Sequence, residues 1–417
     1  MLTPQDNELL VRVGPGTPMG QLFRRFWTPI LMSEEIAEPD GPPVRVHVLG
    51  EKLVAFRDTE GRIGLLDTHC AHRRANLFFG RNEQCGLRCV YHGWKYDVTG
   101  QCVDIPNADE GERIKHEIKL KSYPTLERAG MVWAYMGPPD RKPDLPLYDV
   151  FSGPSNHRQV RKFTIKANWA QVMEGDIDSS HITFLHARVD GANNNAVRDN
   201  LANALTDKSP RWITRETDYG LLLAAQRDLD QEHFYYRINQ WLMPYCTLIA
   251  SPNDKPIIVQ IRVPIDDENT LHFRAFYNRG YPLSAEDLAY SNSVIFPETD
   301  PATGEMREAR ENDYLIDREE QAKRTFSGIR SVVAQDLAMT EDQDGPIFDR
   351  SREFLTTADG AIVAVRRRLI GAAKALASEG NEPPEVGHAA SYAIRPCQIA
   401  LPRHVDVQTG AREAMTP

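Results

Sequence analysis

The first thirty or so residues carry two short helical patterns, the second with Leu22, Phe23, Phe26 and Trp27 on one face. From about Val44 the period changes to two. Arg45-Val-His-Val-Leu, Lys52-Leu-Val-Ala-Phe and Arg62-Ile-Gly-Leu-Leu alternate or run apolar between turn signals at Leu49-Gly50-Glu51 and Glu60-Gly61. His47 falls inside one of these strands and is expected to be half-exposed. The pattern continues through Lys95–Val103, a hairpin turning at Thr99-Gly100, and ends in a strand over Gly130–Met136. Residues 44 to about 138 thus predict a small antiparallel β domain.

Residues 137–146 hold four prolines in ten positions and read as a linker. Beyond it helices mix with long strands. Phe234–Met243, Pro256–Val263 and Leu271–Tyr277 predict antiparallel sheet, with a polar turn over Ile265–Thr270 between the last two. Ile362, Val365, Leu369, Ala373 and Leu376 share one helical face, and Arg366, Arg367 and Arg368 are expected to be solvated largely outside it. The expected organisation is α+β: an N-terminal helical segment over 1–43, a β domain over 44–140, and a larger domain of antiparallel sheet with helices over 141–417.

A chain of 417 residues can build two full cores, and 41% hydrophobic with 26% charged residues is ordinary for a globular protein. The net charge of -10 argues against nucleic acid or an anionic membrane surface as partner. No apolar run nears the roughly 20 residues that span a bilayer. Nor does the N-terminus show a basic stretch followed by an apolar core, so the cytoplasm is the expected compartment. Six cysteines in this length do not form a disulfide framework, and Cys85, Cys102, Cys246 and Cys397 are expected as reduced thiols.

The other two cysteines carry the chemistry. Cys70-Ala-His72 is followed, after the sixteen residues 73–88, by Cys89-Val-Tyr-His92. Matched Cys-x-His and Cys-x-x-His pairs suit a Rieske [2Fe–2S] centre, in which one iron takes two cysteines and the other two histidines. Tetrahedral zinc also accepts two of each, but zinc fingers group their ligands as cysteines, then histidines, whereas each pair here mixes the two. Gly93 would let backbone amides approach the cluster sulfurs, and Tyr91 and Trp94 would shield them from water.

A second constellation is Asn168-Trp169, Glu174, Asp178, His181 and His186. Glu174, Asp178 and His181 are spaced i, i+4 and i+7, which a helix places on one face. Two histidines, a carboxylate and open positions make the facial triad of non-haem Fe(II) oxygenases. The carboxylate must come from elsewhere. In the stretch Val333–Asp344, Asp336 is flanked by apolar residues and Glu341 lies in a more acidic run, and spacing leaves both open.

On these motifs, together with the opening Met-Leu-Thr-Pro, Gly16-Thr-Pro-Met-Gly20 and the tract Asp349–Leu355, the chain resembles the oxygenase (α) component of Rieske non-haem iron ring-hydroxylating oxygenases, of the phthalate-dioxygenase-like branch. The resemblance places the cluster on Cys70, His72, Cys89 and His92, and the mononuclear iron on His181, His186 and Asp336. It makes Asp178 the bridge between the two centres and puts Asn168 near the iron. It implies a helix-grip catalytic domain and a homotrimer or stacked trimers, in which one copy's cluster lies beside its neighbour's iron. It also implies an NADH-dependent reductase, with flavin and plant-type ferredoxin, as electron donor. The expected activity uses O2 to hydroxylate an aromatic, phthalate-like substrate. O- or N-demethylation is the alternative on the same architecture. A carboxylate in an apolar pocket calls for arginine; Arg237, centred in an alternating strand, is the candidate, with Arg198 and Arg211 as loop alternatives. A departure from the family is the absence of proline between Cys70 and His72. Rivals from other classes are an electron-transfer protein with a Rieske domain, which Asp178, His181 and His186 argue against, and a zinc-stabilised binding module.

Overall fold

The computed structural model of the chain describes residues 1–190, 207–251, 255–299 and 306–417. It divides into two compact units, one of Gly14–Gly16 with Gly20–Pro143, the other of Met1–Val13 and Thr17–Met19 with Asp144–Pro417.

The smaller unit is all antiparallel. Strands β1 (Trp27–Met32), β9 (Thr125–Arg128) and β10 (Met131–Tyr135) form one sheet, with β10 central. A second holds β2 (Val44–Val48), β3 (Glu51–Arg57) and β4 (Ile63–Asp67), and a third holds β5 (Arg81–Glu83), β6 (Gly86–Arg88), β7 (Lys95–Tyr96) and β8 (Cys102–Asp104). The expected second helix stops at Phe23, and Trp27 begins a strand instead. Pro29 explains the switch, because a helix interior cannot hold it, while the edge strand β1 accommodates it beside a register shift. The core contains Phe56, Leu66, Leu77, Leu87, Tyr96 and, within the same cluster, Cys70 and Cys89.

The larger unit is built on an eight-stranded sheet. Its strands are β11 (Arg158–Ile165), β12 (Arg211–Thr217), β13 (Gly220–Asp228), β14 (His233–Leu242), β15 (Cys246–Ile249), β16 (Ile257–Pro264), β17 (Thr270–Tyr277) and β18 (Cys397–Pro402). Their order is β11-β17-β16-β15-β14-β13-β12, with β18 also paired to β14. The helices Trp169–Ile177 and Val332–Glu341 pack with β11 through Phe163, Ile165, Val172, Val333, Ala334 and Leu337.

The N-terminal helix Pro4–Val11 belongs to this unit, not to a separate segment ending at residue 43. Its ties are specific: Asn168 Nδ2 donates to Val11 O at 3.1 Å, Arg350 Nη1 to Asn7 Oδ1 at 3.3 Å, and Lys374 Nζ to Asp6 Oδ1 at 2.6 Å. Arg366 is not solvated as its helical position suggests. On the helix Gly360–Glu379 it is 3% exposed, and its Nε donates to Glu174 Oε1 at 2.7 Å. No described helix is long and apolar enough to cross a membrane. All six cysteines are free.

Candidate metal centres

Two loops of the smaller unit carry the Cys/His pairs. In the first, Cys70 N donates to Ala75 O at 2.9 Å and Arg74 N to Cys70 O at 3.0 Å. In the second, Cys89 N donates to Trp94 O at 2.8 Å and Gly93 N to Cys89 O at 2.9 Å. Gly93 has φ +83°, and a Cβ there would meet Pro106 at 2.7 Å, so this turn requires glycine. Cys70 and Cys89 are buried, and the His72 and His92 rings meet edge-on at 4.5 Å. Among the described residues, no three of these four donors fall within 4.8 Å of one another, which a single tetrahedral zinc would require. Cysteines and histidines gathered two by two fit a binuclear cluster. His72 Nδ1 is buried with no partner, as a donor reserved for metal would be.

The surroundings of this site tune it. Trp94 stacks on His72 at 4.7 Å and 5°, and its indole N–H is held by Asn107 Oδ1 at 2.9 Å. Tyr96 Oη lies 3.2 Å from Cys70 Sγ and accepts from Ala71 N at 3.1 Å, which leaves its proton for the sulfur. The sequence expects Tyr96, with Tyr91 and Trp94, as part of the lid over the cluster, but not this hydrogen bond to Cys70.

In the larger unit the local sequence explains how the histidines converge. Asn168 Oδ1 accepts from Ala170 N at 3.1 Å and starts the helix Trp169–Ile177. Asp178 ends it: its backbone is extended, and its Oδ1 accepts from Ser180 N and Ser180 Oγ, both at 2.7 Å. His181 therefore leaves the helix and sits in the 3-10 turn His181–Thr183. The i, i+4, i+7 face expected for Glu174, Asp178 and His181 does not form. Glu174 lies in a buried ion cluster with Arg350 and Arg366.

His181, His186 and Asp336 bring their donor atoms within 4.8 Å of one another. Asp336 Oδ1 lies 3.8 Å from His181 Nε2 and 3.2 Å from His186 Nε2. Each imidazole has its other nitrogen engaged. His181 Nδ1 faces Asp178 Oδ2 at 3.3 Å, and His186 Nδ1 donates to Gln335 Oε1 at 2.6 Å. Both acceptors fix the tautomer that turns Nε2 toward Asp336. Burial works against the charge on Asp178, but the hydrogen bond and charge of His181 and the Ser180 donors outweigh it and hold the carboxyl at about 2. Burial likewise opposes ionisation of Asp336, and His186, His181 and Arg274 together keep its pKa below the usual carboxylate value.

Glu341, the other candidate for third ligand, is engaged elsewhere. It accepts from Lys166 N at 2.8 Å and Tyr314 Oη at 2.6 Å. Asn168, expected near the iron, is instead a structural cap, its Nδ2 also donating to Asp267 O at 2.7 Å. The asparagine lining the cavity is Asn239, whose Oδ1 accepts from Ala250 N at 2.8 Å. Neither Gln335 nor Asn239 was singled out from sequence.

The triad opens on a cavity of about 130 Å³ whose wall includes Arg237, Ile182, Ile249, Ile258, Val294 and Ile295. Arg237 is 8% exposed, its Nε is buried without a partner, and burial lowers its pKa. Arg274 also lines the cavity, but its Nε donates to Gln260 Oε1 at 2.8 Å and its Nη1 to Ile295 O. Arg211 is exposed and paired with Asp228 at 2.9 Å, and Arg198 lies outside the described residues.

A binuclear Cys/His site in one unit and a two-histidine, one-carboxylate site in the other define a class of oxygenase. Residues 26–124 match the Rieske [2Fe-2S] domain family and residues 134–407 the family described as LigXa C-terminal domain like. The chain is 39% identical to the 3-chlorobenzoate-3,4-dioxygenase oxygenase subunit of Comamonas testosteroni, covering 98% of each. It is 41% identical to the phthalate 4,5-dioxygenase oxygenase subunit of Pseudomonas putida, over 89% of this chain and 86% of that one. The fold is shared with Pseudomonas putida CBB5 NdmB, at a TM-score of 0.60, 20% identity, and coverage of 91% and 97%. The chain belongs to the Rieske non-haem iron oxygenases, as an oxygenase subunit with a [2Fe–2S] cluster and a mononuclear iron. It is an oxidoreductase that takes electrons from a partner protein.

Proposed function

We propose that the chain hydroxylates an aromatic ring bearing a carboxylate, with the mononuclear iron held by His181, His186 and Asp336 and the cluster by Cys70, His72, Cys89 and His92. The convergence of His181, His186 and Asp336 within 4.8 Å, beside the unpartnered Nε of Arg237, carries this reading. When bound, the iron activates dioxygen and the cluster delivers the electrons. The residues do the rest. Asp178 and Gln335 hold the Nδ1 protons, so that both Nε2 atoms stay available for metal. Arg237, whose Nη2 donates to Ala250 O at 3.4 Å, pairs through its unpartnered Nε with the substrate carboxylate. Ile182, Ile249, Ile258 and Ile295 pack the ring and exclude water.

The relatives named for 3-chlorobenzoate and phthalate support a carboxylated ring as substrate. In the working enzyme, copies assemble as a homotrimer or stacked trimers, Asp178 reaches a cluster histidine of a neighbouring copy, His72 or His92, and an NADH-dependent reductase feeds the cluster. The 21% exposure of the Asp178 side chain leaves it reachable for such a bridge. The test is a single turnover: the purified protein is reduced chemically, given heavy-isotope dioxygen and a panel of aromatic carboxylates and methoxy-aromatics, and its products are weighed. Two heavy oxygens in a carboxylated product support the reading. One heavy oxygen or a lost methyl group makes the chain a monooxygenase or demethylase, the activity named for a 31%-identical relative in Sphingobium sp.. No product from any carboxylate refutes the substrate class.

A further inference from the structure

Behind the triad lies a second, smaller cavity of about 20 Å³, whose lining includes Phe163, Val172, His272, Asp336, Leu337 and Thr340. One water needs about 10–15 Å³ and two to four polar partners. Asp336 lines both cavities, so this space also touches a proposed metal ligand.

The polar groups that line it with Asp336 are Asp176, Arg262, His272, Arg274 and Thr340, and among them His272 carries the unpartnered donor. Its ring is 1% exposed, and Arg262 Nη1 lies 2.7 Å from its Nδ1. Arginine only donates, so Nδ1 accepts and the ring proton sits on Nε2. That Nε2–H is buried without a partner. Buried donors are almost always satisfied, and an orphan beside a void large enough for water points to a water in it. The ring cannot turn to find another acceptor. Phe163 meets it edge-on at 4.5 Å, and Arg262 is itself clamped to Asp176, with Nε–Oδ2 at 2.8 Å and Nη2–Oδ1 at 2.6 Å. Burial, with Arg262 and Arg274 nearby, keeps His272 neutral. Thr340 donates its hydroxyl to Asp336 O at 3.0 Å and leaves its lone pairs free for a third contact.

We propose that this cavity holds one ordered water, which accepts from His272 Nε2–H and donates to the Asp336 carboxylate, so that Asp176, Arg262 and His272 position the third metal ligand through it. His272 is a positioning residue, separated from the metal by the water and by Asp336. A carboxylate ligand steadied from its outer side keeps its orientation when substrate enters and leaves the larger cavity. The inference rests on the reading of His181, His186 and Asp336 as iron ligands.

The test uses the holoenzyme and measures release of the mononuclear iron to a chelator, with cluster absorbance and thermal melting as controls. His272→Leu removes the donor and speeds release about tenfold, the low end for loss of an outer-shell partner. His272→Gln keeps an acceptor for Arg262 and a donor for the cavity, and stays within about twofold of wild type. Val172→Ile fills the cavity without touching a polar group and speeds release as His272→Leu does, which keeps the test open if His272→Leu melts early. A crystal structure of the holoenzyme shows the water. A dry cavity, or wild-type release from both His272→Leu and Val172→Ile, overturns the proposal. So does fast release from both His272 variants with Val172→Ile unchanged, because the ring would then act by packing. Wild-type protein holding no iron beyond the cluster's pair would instead refute the ligand reading itself.

Discussion

Gln335 makes the sharpest prediction about the iron site. Its Oε1 takes the Nδ1 proton of His186 at 2.6 Å, and its Nε2 donates to Ile329 O at 2.7 Å. Both partners are buried, His186 at 8% and Gln335 at 5% exposure. Gln335→Met keeps the volume and helical propensity but deletes the acceptor. The imidazole must then hold the metal-binding tautomer with an orphaned buried N–H. That costs about 1–3 kcal/mol, and each 1.4 kcal/mol is about tenfold in affinity. Fe(II) affinity, measured by chelator competition on protein whose cluster is intact, is expected to fall about 10–100-fold. Gln335→Glu keeps an acceptor and adds charge, so its iron should bind at least as tightly as in wild type. If Gln335→Met holds iron within twofold of wild type while remaining folded, the outer nitrogen of His186 does not govern the site and the argument fails.

Three further outcomes are expected. Asp178→Asn should leave both metals bound yet nearly abolish coupled product formation; near-wild-type turnover would remove the bridging role. Arg237→Met should raise KM for carboxylated rings by about tenfold or more, the worth of one charge-assisted hydrogen bond, and leave neutral analogues unaffected. Tyr96→Phe takes away the proton nearest Cys70 Sγ, and a voltammetric titration should show the cluster potential lower by about 60 mV, equivalent to about 1.4 kcal/mol for one electron.

The cluster site was legible in the chain because its four ligands sit on two short loops whose chemistry is local. His181 and His186 were legible for the same reason. Glu174 misled because helical spacing was carried past Ile177, although Asp178-Ser179-Ser180 is itself a helix-ending signal. Asn168 carried a signal too: an asparagine directly before an amphipathic run is a cap before it is anything else. The third ligand stayed ambiguous because nothing local ties residue 336 to residue 181. The polar residues on the inner face of the sheet were beyond reach for a different reason. Gln260, Arg262, His272 and Arg274 alternate with apolar neighbours, and alternation distinguishes two faces without saying which is inside. In β17 every residue is buried, so the polar face is an interior one.

The division of the chain has a consequence for how it is made and cut. Helix Pro4–Val11 precedes the cluster-binding unit in the chain, yet its partners Asn168, Arg350 and Lys374 follow it by well over a hundred residues. On the ribosome the cluster-binding unit, contiguous from Gly20 to Pro143, emerges whole while that helix waits. Most of the cluster unit is thus inserted between Met19 and Asp144 of the catalytic one, after the short stretches Gly14–Gly16 and Thr17–Met19 have alternated between the two. A fragment begun at residue 141 would lack the segment that meets Asn7, Val11 and Asp6, and one begun at residue 1 and stopped at 143 would carry a helix with nothing to fold against. The two modules therefore cannot be exchanged by a single cut at the linker.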